Sequence, residues 1–123
     1  MKAFLPLSLI AVLVAAPAWA DCVAPVHNIK MPDGSKATKE EMLATQHAIK
    51  DGNAAVNAFA DCLKAEQDAK IASGGDQMKD DQKQKIGAEY ANRQNSEVEK
   101  LQKLADKFNV ELRAYKAKMT PQP

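Results

Sequence analysis

Apolar residues recur along this chain with the period of a helix, in two long blocks separated by a glycine pair. In the first block Met42, Ile49, Val56 and Leu63 return every seven residues, with Thr45 and Phe59 in the intermediate seam. Such spacing lines one stripe of a helix for packing against a partner. Gly52 and Asn53 interrupt the stripe and weaken the helix locally, so a kink or a closely approaching backbone is expected there. Thr38 is a suitable N-cap, and Glu41 three residues later completes a capping box. Glu40 and Glu41 also face the positive end of the helix dipole. Gly74 and Gly75 then punctuate the C-terminal end. These signals predict a helix over residues 38–72 and a turn over 73–79.

The second block carries Val98, Leu101, Ala105, Phe108, Leu112, Tyr115 and Met119 in alternating steps of three and four. That is a heptad seam, and it predicts a helix over residues 80–118. Ile86 and Tyr90 sit off this register, so the packing face is expected to shift near the middle of the helix. The tail, 119–123, holds two prolines and cannot continue a helix. No stretch reads as a strand, and the short turn makes the two helices neighbours. The expected fold is all-α, an antiparallel two-helix hairpin with coiled-coil-like packing.

Two helices alone enclose little core, so something must supplement them. One supplement is residues 21–37, an arm kept extended ahead of Pro25 and Pro32 and turned at "MPDG" (Met31 to Gly34). Val23, Val26 and Ile29 are expected to form a partial third layer, and self-association is the other supplement. The two cysteines fit this layout. Cys62 lies roughly 36 Å along a helix that starts at Thr38. The arm from Cys22 can span roughly 53 Å when extended, enough to fold back along the helix and reach Cys62. A single disulfide, Cys22–Cys62, is therefore expected to pin the arm. Cys22 has no neighbouring Lys, Arg or His to activate it, which disfavours a redox-active role.

The N-terminal segment sets the compartment. Lys2, an apolar run from Phe4 to Ala16 and the small-x-small sequence Ala18-Trp19-Ala20 read as a signal peptide over residues 1–20, cut after Ala20. The run is too short for a membrane span. Asp21 separates the cut from Cys22, which disfavours a lipid anchor. A single domain over 21–123 and a periplasmic location follow, with no stable membrane span after cleavage. Removing Lys2 leaves 16 basic and 16 acidic residues, which argues against nucleic acid as a partner.

Few residues offer chemistry. His27 falls in the arm and His47 away from the seam; no paired ligand spacing accompanies either, so no metal is expected. No G-x-S-x-G element or phosphate-binding glycine loop occurs, so neither an enzyme nor a cofactor is implied. The one candidate surface is on the second helix, where Asp106, Asn109, Arg113 and Lys116 form a polar ridge beside Tyr115. It reads either as a partner-recognition face or as a solvated face with weak ion pairs.

The order "PDGSKATKEEM", "CL" at Cys62-Leu63 and "ADKFNVELRAYKAK" from Ala105 to Lys118 resembles an uncharacterised family of small exported bacterial helical proteins. The resemblance implies the same export route and helical build and assigns no activity to any residue. The expected function is non-enzymatic, through protein–protein contact with an envelope protein or with itself. The alternative is a stress-type holdase or an apolar-ligand module using a groove between hairpin and arm.

Overall fold

The computed structural model describes residues 21–120, so the expected signal peptide and residues 121–123 of the tail lie outside the described residues. Two helices dominate: α1, Lys39–Gly74, and α2, Asp80–Met119. They pack antiparallel as a hairpin, and no strand occurs among the described residues. The capping box at α1 forms as expected. Thr38 Oγ1 accepts the Glu41 N–H at 3.2 Å, and Glu41 Oε2 accepts the Thr38 N–H at 2.8 Å. At the other end Gly74 stays helical and the stop falls at Gly75, whose φ of 56° is the left-handed conformation that glycine tolerates best. A single 3-10 turn, Gly75–Gln77, then reverses the chain. Lys79 has no side-chain oxygen to cap α2, and its own N–H is taken by Gln82 Oε1 at 2.9 Å.

The core has two clusters. Near the turn, Phe59 and Leu63 of α1 meet Tyr90 of α2 and Cys22 of the arm. At the far end, Met42 meets Phe108 of α2 and Ala37 of the arm, with Leu112 and Tyr115 beside them. Each fully buried side chain of this size contributes about 1.5–3 kcal/mol. Between the clusters, α1 is one continuous helix through Gly52. The expected close approach is there, but to side chains: a Cβ on Gly52 would stand 2.9 Å from Leu101 Cδ1 and 3.3 Å from His27 Nδ1.

The seam of α2 differs from the expected one. Val98 is 46% exposed and Met119 63% exposed, whereas Tyr90, Glu97, Leu101 and Phe108 are buried. Through Glu97 the seam runs unbroken from Ile86 and Tyr90, so no shift of face is needed. Hydrophobicity selects Val98 for the interior; the wrapping arm selects its neighbour, one helical step of about 100° away. Phe108 packs against Met42 in the first turn of α1.

The arm lies antiparallel to α1 and ends in the Cys22–Cys62 disulfide, with Cα atoms 5.8 Å apart. The lengths agree. From Lys30, whose carbonyl accepts from Thr45 Oγ1, to Cys22 the extended arm spans roughly 26 Å, and so does α1 from Thr45 to Cys62. Which side chains face inward is a correction. Pro25, His27, Ile29 and Met31 alternate inward, while Val23 and Val26 are 84% and 81% exposed. Extended chain alternates its side chains, so Val26 faces outward between Pro25 and His27, whereas the buried Cys22 and the exposed Val23 lie outside that alternation.

Candidate functional site

The arm is clasped near the disulfide by residues of both helices and at its far end by α2. Near the disulfide, Arg93 Nη2 donates to the Cys22 carbonyl at 3.3 Å. Its Nη1 lies 3.8 Å from Glu66 Oε2, and its guanidinium 5.2 Å from the Tyr90 ring centroid. The Tyr90 hydroxyl donates to Glu66 Oε1 at 3.0 Å. Burial, and then the hydrogen bond to Glu66, push the Tyr90 phenol above its ordinary range. At the far end the turn at 33–37 sits on α2. Glu111 Oε2 accepts the Gly34 N–H at 2.7 Å, and Lys118 Nζ donates to the Ala37 carbonyl at 2.7 Å. Within that turn the Ser35 hydroxyl donates to Asp33 Oδ1 at 2.6 Å, which holds the Asp33 carboxyl below its usual range.

Between the clasps the arm and the first half of α1 leave a groove of about 520 Å³. Its walls include Ile29, Met31, Ala44 and Ala48, with Lys36 and Glu41 among the polar residues. That volume falls in the range of small-molecule sites. The one hydroxyl among its walls, Thr45, is tied to the Lys30 and Glu41 carbonyls. Among the described residues no group of three or more His, Cys, Asp or Glu could hold a metal ion. His47 is exposed, while His27 is turned inward with its Nε2 buried and unpaired among the described residues.

The opposite side of the hairpin carries no arm. There Ile49, Asn53 and Asn57 of α1 face Val98, Gln102 and Ala105 of α2 across a shallow groove. Toward the turn the same side continues through Ala60 and Gln67 opposite Gly87, Ala91 and Gln94. The ridge read from the sequence extends this strip, since Asn109 and Lys116 follow Val98, Gln102 and Ala105 at helical spacing. Asp106, Asn109, Arg113 and Lys116 are all exposed. Tyr115 is not with them: it turns into the far core cluster, with Lys118 Nζ 4.9 Å from its ring centroid. Asp106 accepts from Gln102 Nε2 at 2.9 Å rather than pairing with Arg113.

Glu66, Arg93, Glu111 and Lys118 build the clasps, and the sequence pattern did not single them out. Each is a charged residue on a helix rich in charge, and only the arm's path distinguishes it from its neighbours. With the site described in this way, no family model, no curated protein and no solved structure matches the chain.

Proposed function

We propose that the chain after Ala20 is a small exported, non-enzymatic helical protein that acts in the periplasm by contact with other protein surfaces. The observation that carries this reading is the uncovered side of the hairpin. From Ile49 to Gln67 and from Gly87 to Ala105 it offers amides and aliphatic groups, with Lys64 its one charged lining residue before the Asp68 end. Lys64 is itself paired with Asp68 at 3.1 Å. Loss of charge at the centre and polar groups at the rim characterise protein interfaces. The signal-like N-terminus, the resemblance to small exported proteins and the disulfide support export, because disulfides persist in oxidising compartments.

The test is crosslinking of the disulfide-intact protein in envelope extract, followed by mass identification. A protein should be captured at defined stoichiometry, and Val98→Lys should abolish capture while leaving helix content unchanged. Capture that survives Val98→Lys and Ala91→Lys, or no capture at all, removes the reading.

A second reading rests on the groove between arm and α1. Its volume and its apolar wall suit an apolar ligand or a segment of an unfolded client. An apolar fluorescent probe should then bind the parent protein, and Ala48→Phe, which fills the groove, should displace it. Suppression of client aggregation that is lost in the same variant would favour the holdase form.

A further inference from the structure

We infer that the uncovered side of the hairpin pairs with a second copy of this chain, making a four-helix bundle with the two arms on its outside. The inference rests on the reading of that side as a contact surface, and it names the first occupant. Three features of the strip argue for self-pairing.

The first is charge. A two-fold contact sets each residue near the axis against its own copy, so a charge there meets its like. The residues that line the strip around Asn57, Gln94 and Val98 are uncharged apart from Lys64, which is paired with Asp68 at 3.1 Å, while exposed Lys50 and Asp61 of α1 flank the strip. The ionic groups stand at its ends: Lys64 with Asp68 toward the turn, and Asp106, Arg113 and Lys116 toward the C-terminal end of α2. Within the lining itself a charged foreign partner would meet only the already paired Lys64.

The second is hydrogen-bonding chemistry. Asn53, Asn57, Gln94 and Gln102 each carry a donor and an acceptor on one amide, so amides can pair with amides across the axis without leaving either group unmet. Val98, 46% exposed despite lying between them on the helix, supplies the apolar contact.

The third is area. The strip from Ile49 to Gln67 is roughly 27 Å long and two helix diameters, about 20 Å, wide, so pairing two copies covers on the order of 1,000 Å². Extending the contact along the ridge to Lys116 raises this to about 1,700 Å², the size of a stable, specific interface. The arms leave the strip free, because they cross the other side of each hairpin. The pairing also supplies the additional core that a two-helix hairpin lacks.

Sedimentation of the disulfide-intact protein over about 1–200 µM tests this, a range that spans the affinities of ordinary homodimers. The expected result is a dimer at the upper end. Val98→Lys and, separately, Ala91→Lys should weaken it at least about tenfold, with far-ultraviolet circular dichroism unchanged. A monomer throughout, or a dimer that both substitutions leave intact, overturns the inference. If the protein is a monomer and Val98→Lys abolishes capture of a different envelope protein, self-pairing falls while the protein-contact function stands. If it is a monomer and nothing is captured, both fall.

Discussion

Replacing Gly34 with alanine would test whether the arm's turn is seated on α2 as the structure describes. The glycine is needed for space, since its backbone does not take a positive φ. A Cβ at this position would overlap the Glu111 carbonyl oxygen and stand 2.7 Å from the carbonyl carbon. Both are backbone atoms of a helix and cannot rotate away, so the turn must lift or α2 must bend. Overpacking of this kind costs about 1–3 kcal/mol. Lifting the turn also stretches the 2.7 Å bond from the Gly34 N–H to Glu111 Oε2, and hydrogen bonds to charged groups contribute about 1.5–3 kcal/mol. Against this, alanine restricts the unfolded chain and returns about 0.4–1 kcal/mol. The net expectation is a loss of about 2–4 kcal/mol, a large share of the total of about 5–15 kcal/mol usual for a domain. In temperature this is a fall in Tm of about 10–25 °C. Urea titration followed by circular dichroism, with the disulfide intact, measures the loss. Ser35→Ala is the comparison, because Ser35 is exposed and bonds only within the turn. If Gly34→Ala lies within about 0.5 kcal/mol of the parent, the ordinary scatter of a surface substitution, the turn does not rest on Glu111.

Non-reducing mass analysis should find Cys22 joined to Cys62 within one chain; loop closure of this length stabilises the fold by about 4 kcal/mol, and reduction should lower the urea midpoint accordingly. Two free thiols, or a disulfide-linked dimer, would refute the pinned arm. Phe108→Ala should cost about 3–5 kcal/mol because the ring fills the far core cluster, whereas exposed Arg113→Ala should stay within about 0.5 kcal/mol of the parent. Equal melting of the two variants would show that the ring is not buried. The raised phenol of Tyr90 gives a pH signature with a definite sign. The folded state favours the neutral phenol, so its contribution is complete below the ordinary tyrosine pKa of 10.0 and is lost as pH rises through the higher folded value. Stability of the parent should therefore fall more steeply above pH 10 than that of Tyr90→Phe, and parallel slopes would mean that the phenol is neither buried nor held by Glu66.

Local physics made much of the architecture legible in the sequence. The Thr38–Glu41 box, the glycine pair and the seven-residue spacing of Met42, Ile49, Val56 and Leu63 each depend on residues within a turn or two of one another, and all of them reappear in α1. The disulfide was legible for a simpler reason, since the chain has one pair of cysteines and the arm is long enough to fold back and bring Cys22 to Cys62. Three features were decided by tertiary packing. On α2, Val98 and Glu97 differ by one helical step, and periodicity with hydrophobicity prefers the valine. The arm, which approaches from the other side, leaves Val98 in the open and covers Glu97, whose Oε1 is held by Lys100 Nζ at 2.8 Å. In the arm, the alternation of extended chain is a parity with two settings. The seating of the arm on the hairpin chooses, from Pro25 to Met31, the one that turns His27 inward beside Gly52 and Val26 outward. The uncovered strip has no local signature at all, because its residues come from both helices and only the antiparallel pairing lays Asn57 beside Val98. Sequence specifies what each residue prefers within its own turn of chain. Which of two near-equivalent faces is buried depends on the shape of the partner surface, and that exists only once the hairpin and arm have come together.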